Sequence, residues 1–243
     1  MERRNFLKTS ALAGAAAAGV SGLPLLHALR AQAGNATTAS GGRRFGMVID
    51  LTRCPPGCNA CVGACQQENN VVSSGDGTRD VFRIRKVTLR NNTSSATKAV
   101  PLLCNHCDNP PCALVCPIQA TYKRADGIVI VDPHRCMGCR YCLIACPYNA
   151  RHFNFRESAA RPNSAQPKRQ HGVAESCDLC AHLLDQGKPP ACVSACAATG
   201  ARAIRVGNLD DPGSEVAMLI REHSVKRLRE ELGTAPKVYY IGL

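Results

Sequence analysis

Residues 44–51 read Arg-Phe-Gly-Met-Val-Ile-Asp-Leu, an apolar run closed by polar residues, and predict a strand. Residues 81–89 alternate enough between apolar and basic side chains to predict a second strand. Residues 127–132, Gly-Ile-Val-Ile-Val-Asp, form a short apolar run that predicts a third. Gly75, Gly77 and the polar run 91–98 read as turns or loops. Residues 154–176 carry Pro162, Pro167, Lys168, Arg169 and His171 with no hydrophobic period, so they read as a solvated polar linker or a docking arm. Ser214 then caps a helix that starts at Glu215 and carries Val216, Leu219 and Ile220. Further apolar positions at Val225 and Leu228 extend this pattern to a stop near Gly233, and residues 237–243 predict a short final strand. The tail reads as packing rather than as a site. Short strands and helices joined by long loops place the chain in the α+β class.

The first 33 residues do not belong to this fold. Met1-Glu2-Arg3-Arg4-Asn5-Phe6-Leu7-Lys8 is a basic opening, residues 11–29 are rich in Ala, Gly and Leu, and Ala31-Gln32-Ala33 is a small-residue cleavage signal. The Arg pair followed by Phe-Leu-Lys resembles the twin-arginine signal, a route that carries proteins already folded. Gly14, Gly19, Gly22 and Pro24 interrupt the apolar stretch and make it a poor membrane span. The mature chain is expected to be soluble in the periplasm, touching a membrane only through a partner.

The remaining 210 residues contain every one of the 16 cysteines but no Trp. The cysteines fall into four groups: Cys54, Cys58, Cys61 and Cys65; Cys104, Cys107, Cys112 and Cys116; Cys136, Cys139, Cys142 and Cys146; Cys177, Cys180, Cys192 and Cys196. The third, C-x2-C-x2-C-x3-C closed by Pro147, is the bacterial ferredoxin run for [4Fe–4S] ligation. Three thiolates from one tight loop can hold three corners of a cubane. The fourth cysteine, on the helix that follows, points away to a neighbouring cubane. Four such groups predict four [4Fe–4S] clusters and a path for electrons. Eight disulfides would need bridges between cysteines too close to their neighbours, such as Cys139 and Cys142. Zinc has no use for a third cysteine two residues on, and no C-x2-C is followed directly by the His that haem c attachment needs.

The formal charge of +12 would suggest a nucleic-acid partner, but residues 1–33 carry three of those net charges. Four oxidised clusters with their thiolates bring about −8, so the loaded protein is near neutral and no nucleic acid is expected. Metal binding also supplies folding free energy that the thin apolar core lacks.

Groups two and three repeat: each closes with Cys-Pro (Cys116-Pro117, Cys146-Pro147), and the strand at 127–132 lies between them. This is the layout of a two-cluster unit, with groups one and four split around it. The expected architecture is two pseudo-symmetric two-cluster ferredoxin-like units, one inserted in the other and rich in loops. Its segments are 34–99, the inserted unit 100–153, the linker 154–176, and 177–243.

With these groups in place the chain resembles the four-cluster ferredoxin-like electron-transfer subunits of periplasmic oxidoreductases, from about Phe45 onward. Residues 103–112, Leu-Cys-Asn-His-Cys-Asp-Asn-Pro-Pro-Cys, and residues 126–129, Asp-Gly-Ile-Val, resemble the B subunits of tetrathionate and polysulfide reductases. The linker and residues 232–240, Leu-Gly-Thr-Ala-Pro-Lys-Val-Tyr-Tyr, resemble the DsrO subunit of the Dsr sulfur-metabolism membrane complex. The resemblance implies crossed ligand sets. They are Cys54, Cys58, Cys61 with Cys196; Cys177, Cys180, Cys192 with Cys65; Cys104, Cys107, Cys112 with Cys146; and Cys136, Cys139, Cys142 with Cys116. Two departures stand out: three residues separate Cys54 from Cys58, and neither Cys65 nor Cys196 precedes Pro. The Pro55-Pro56-Gly57 turn can bulge without moving the thiolates, so four clusters remain the expectation. The Cys54 site is the one that would depart from a standard cubane.

The implied role is a non-catalytic relay between a multi-span quinone-interacting membrane subunit and either a molybdopterin catalytic subunit or the other Dsr subunits. A freestanding iron–sulfur redox enzyme and a mobile soluble polyferredoxin are the alternatives. No nucleophile–base pair or phosphate loop is visible, and His106, between Cys104 and Cys107, reads as a hydrogen-bond donor to cluster sulfur.

Overall fold

Strand β1 (Phe45–Asp50) forms where the apolar run lies and is buried on both faces, which explains an unbroken run where a half-exposed strand would alternate. The structure, a computed structural model, describes residues 42–90, 97–157 and 161–243, so the signal segment and its cleavage point lie outside them. After β1 come α1 (Ala60–Glu68), β2 (Ile84–Arg90), β3 (Thr97–Leu103), α2 (Pro111–Leu114), β4 (Thr121–Lys123) and β5 (Val129–Val131). Then follow α3 (Tyr141–Ala145), β6 (His152–Phe153), β7 (Ala174–Glu175), α4 (Ala181–Leu184), α5 (Ala191–Ala198) and β8 (Ile204–Asn208). The series ends with α6 (Glu215–Glu222), β9 (Val225–Lys226) and β10 (Val238–Ile241). This mixture confirms the α+β class.

The main sheet has the order β8-β1-β10-β9, with β1 parallel to β10 and antiparallel to β8. Side chains alternate across it. Met47, Ile49, Ile204, Val238 and Tyr240 enter the core that holds Cys61, Cys65, Cys104, Cys177, Cys192 and Cys196. Val48 and Ile241 face the other way, against Val216 of α6. The sheet therefore joins both ends of the described chain and leaves the cysteine-bearing stretch between its strands.

Three expectations need correction. The helix capped by Ser214, whose Oγ accepts from Ala217 N–H at 3.2 Å, stops at His223 instead of near Gly233. Val225 and Lys226 pair antiparallel with Ile241 and Tyr240, so the open sheet edge takes the backbone from the helix. Gly233, with φ +66°, instead ends a 3-10 turn at Glu230–Leu232. Thr97 and Lys98 belong to β3, which pairs with β2 from Ile84↔Leu103 to Arg90↔Thr97 and was hidden by Pro101. In a two-stranded ribbon a proline can face away from the partner, and Tyr240 Oη donates to Pro101 O at 2.9 Å to seat the hairpin.

The polar segment 154–176 is not simply solvated. His152 and Phe153 pair with Glu175 and Ala174, Asn70 exchanges hydrogen bonds with the Asn163 backbone (2.8 and 3.0 Å), and Arg169 pairs with buried Glu175 at 2.8 Å. Asparagine and arginine side chains do here what an apolar stripe does elsewhere. Among the described residues no helix is long and apolar enough to cross a membrane.

Candidate metal centres

The closing cysteines of groups two and three leave their helices because proline follows. Helix α2 ends at Leu114 and α3 at Ala145, and Cys146 is extended (φ −80°, ψ 111°), as steric conflict with the next proline ring requires. The repeat extends to the backbone. Gln119 and Asn149, each three residues past the closing cysteine, both take positive φ and donate their N–H to Cys116 O and Cys146 O. Cys65 and Cys196 have no proline after them, so α1 and α5 run on to 9 and 8 residues. The missing prolines thus lengthen two helices without removing a thiol from its place.

Three cavities carry four cysteines each. Cys54, Cys58, Cys61 and Cys196 line one, so the additional residue before Cys58 is absorbed by the turn that closes on Pro55 O. Cys65, Cys177, Cys180 and Cys192 line a second. Cys104, Cys107, Cys112 and Cys146 line a third. In each, three cysteines of one group meet the last of another. Cys142 lies within electrostatic reach of Cys136 and Cys139, while Cys116 sits on the turn after α2, where its Sγ accepts from Thr121 N–H at 3.4 Å. All sixteen thiols are unpaired, and among the described residues no three His, Cys, Asp or Glu side chains are arranged to hold a single metal ion. The thiols surround volumes instead of converging on a point, which suits a cluster better than zinc.

Burial pushes the thiols of Cys65 and Cys104 up to about 12 and that of Cys142 to about 11, because a thiolate is poorly solvated there. Nearby cations oppose this: Arg83 acts on Cys65 and Arg151 on Cys104 and Cys142. Burial also acts upward on Cys116, but the N–H groups of Thr121, Ala120 and Ile118 outweigh it and hold this thiol below its ordinary value. Donors meet sulfur elsewhere: Lys86 Nζ on Cys54 (3.2 Å), Arg151 Nη2 on Cys112 (3.2 Å), Ala203 N on Cys196 (3.1 Å) and Ala174 N on Cys136 (3.4 Å). Asn105 lines the third cavity with both carboxamide atoms buried and without partners. A bound cluster's sulfides would supply the acceptor its amide lacks, so these residues fit the group.

His106 Nδ1 accepts from Val129 N–H at 3.1 Å, which leaves Nε2 as the N–H donor, buried and without a partner; the residue lines none of the three cavities, and burial lowers its pKa to about 3. The sequence reading missed Lys86, Arg83, Arg151, Tyr148 and Thr234. The last two are hydrogen-bonded to each other beside Cys107, so the tail read as packing reaches a candidate cluster ligand. The usable signal for Arg151 was its offset: it stands five residues after Cys146, as Thr121 stands five after Cys116.

The 4Fe-4S dicluster domain family matches residues 95–207, and a twin-arginine translocation signal family matches residues 1–19. Across the whole chain the similarity reaches an Hdr-like menaquinol oxidoreductase iron-sulfur subunit 1 from Archaeoglobus fulgidus, 41% identical over 100% of this chain and 98% of the relative. This chain belongs to the family of [4Fe–4S] iron–sulfur subunits of oxidoreductases. It is also 39% identical to the B subunit of tetrathionate reductase from Salmonella typhimurium, over 99% of this chain and 88% of that one. Protein NrfC from Escherichia coli is 36% identical over 91% and 92%. The iron–sulfur subunit is an electron-transfer component and not a catalytic one, it carries four [4Fe–4S] clusters, and its twin-arginine signal sends it to the periplasm. Replacing Arg3 and Arg4 together by Lys is expected to leave cluster-loaded precursor in the cytoplasm, measured by fractionation and iron content. Undiminished periplasmic protein would contradict the route.

Proposed function

We propose that this iron–sulfur subunit relays electrons between a multi-span quinone-interacting membrane subunit and a redox partner, in a complex that works on sulfur compounds. The partner is a molybdopterin catalytic subunit or the remaining subunits of a Dsr-type complex. Similarity to a menaquinol oxidoreductase subunit and a tetrathionate reductase subunit supports this reading. The proposed ligand sets are the crossed ones, Cys116 completing the set of Cys136, Cys139 and Cys142. The architecture is an outer unit (34–99 with 177–243) around an inserted unit (100–153), joined by the segment 154–176.

The observation that carries this is the line the four sets make. Cys61 lies within electrostatic reach of Cys192, Cys104 of Cys177, and Cys112 of Cys142, so each set adjoins the next. At one end Cys54 and Cys58 are half-buried; at the other Cys139 is exposed. Bound clusters carry single electrons, and the protein contributes position, burial and hydrogen bonds. Lys86, Arg83 and Arg151 offset the negative charge that such a row concentrates.

The exposed end is apolar. Leu114 (83% exposed), Met137 (65%), Tyr141 (58%) and Ile144 (84%) lie on α2, α3 and the loop of Cys139, with Arg135 and Arg140 exposed beside them. An exposed apolar patch rimmed by charged side chains marks a protein–protein interface, so we place the membrane subunit here. Leu114→Glu with Ile144→Glu should abolish co-purification with the membrane fraction, at about 2 kcal/mol or more for central apolar contacts, while leaving iron content unchanged. Unchanged membrane retention of that variant would remove this face from the interface. Binding of the purified protein to anionic liposomes would make the bilayer itself the occupant.

A further inference from the structure

The inner repeat matches in its closing Cys-Pro and the turn that follows, but not in its charge. Thr121 and Arg151 hold equivalent positions after Cys116 and Cys146, and they meet: Arg151 Nη1 donates to Thr121 Oγ1 at 3.4 Å. The other arm of the guanidinium, Nη2, donates to Cys112 Sγ at 3.2 Å, and no sulfur of the neighbouring set receives a bond from it. Arg151 is 5% exposed, and among the described residues no carboxylate stands at ion-pair distance from it. The groups around it that become negative as cluster ligands are the thiols of Cys112, Cys104, Cys142 and Cys146. A buried guanidinium without a carboxylate needs anionic partners, and two adjoining clusters with thiolate ligands are the ones this site offers.

We propose that Arg151 makes the two inner clusters unequal, raising the reduction potential of the one held by Cys104, Cys107, Cys112 and Cys146 above that of its neighbour. This rests on the ligand sets proposed above. Reduction adds one electron, taken from the adjoining cluster, and no proton, so the cluster becomes more negative by one charge. A cation that also hydrogen-bonds a ligand sulfur stabilises that reduced form more than the oxidised one. The neighbouring cluster shares the cation at a distance but receives no bond from it, and its ligand Cys139 is open to solvent, which screens the charge. Thr121, at the equivalent position, gives Cys116 of that cluster hydrogen bonds but no charge. The pair therefore has a built-in step.

The test uses the full-chain, cluster-loaded protein purified without oxygen, titrated with dithionite and followed by electron paramagnetic resonance. In Arg151→Gln one signal should become about tenfold harder to reduce, about 59 mV for one electron, with the adjoining signal shifting by clearly less and the other two unmoved. Arg151→Lys keeps the charge and should recover most of that shift. Cys112→Ser should perturb the same signal. Four unmoved midpoints in a fully loaded Arg151→Gln protein would overturn the proposal, and equal shifts in two signals would overturn the inequality. Loss of iron in both Arg151 variants would make the residue structural only. A shift in a signal that Cys112→Ser leaves untouched would instead refute the ligand sets, and with them the assignment to this cluster.

Discussion

Cys146→Ala is expected to lower the iron content from about sixteen to about twelve per chain, and to remove the cluster beside Cys104, Cys107 and Cys112 while sparing that of its own loop. Cys146 lines one cavity with those three cysteines and Asn105, whereas Cys136, Cys139 and Cys142 are absent from that wall. The cause is local. Pro147 forces Cys146 out of helical geometry at the end of α3, and the chain then carries the thiol across to the α2 side. Without it the third cavity keeps three thiols that burial holds protonated, a poor site for an anionic cluster. Iron and acid-labile sulfide analysis with low-temperature spectroscopy measures the outcome. Selective loss of the Cys136–Cys139–Cys142 cluster would show that ligation is not crossed.

Gly138→Ala should be nearly as damaging, at the other inner centre. Gly138 lies between Cys136 and Cys139 with φ +76°, and a Cβ there would stand 2.4 Å from Gly172 O. The left-handed conformation alone costs about 1–2 kcal/mol for alanine, and the clash is with backbone, which cannot rotate aside. Gly172 is itself held by its N–H on Asn154 O at 2.7 Å, so the cysteine loop is the part that shifts. The expected result is loss of about four irons and a lower unfolding temperature. Gly57→Ala is the control: φ is +73° but nothing lies within 4 Å, so it should cost about 1–2 kcal/mol and no iron. Full loading of Gly138→Ala would show that the loop tolerates displacement.

The candidate ligands were visible in the sequence because cluster ligation calls for cysteines at short, fixed spacing. β1 and the start of α6 were legible because an apolar run and a serine cap act locally. β3 was not, since Pro101 and a polar start cancel its pattern, and its pairing with β2 is a tertiary fact. Neither was the end of α6, where the edge of β10 competes for Val225 and Lys226. Arg151 and Lys86 were hidden among 30 Lys and Arg residues, and only burial beside sulfur distinguishes them. The inward anchoring of Asn163 was invisible because a buried asparagine and a solvated one look the same in a polar run.

The order of strands in the main sheet imposes a delay on synthesis. Arg44 N–H bonds Asn208 across 164 residues of chain, and β1 gains its parallel neighbour β10 later still. At ribosomal speed that interval is roughly ten to thirty seconds. Throughout it the cysteine-rich middle is exposed while the frame that will enclose it does not yet exist. The export signal at residues 1–19 has left the ribosome long before. The address is thus written first and the parcel sealed last, so whatever withholds the chain from the exporter must do so until β8 and β10 have closed on β1.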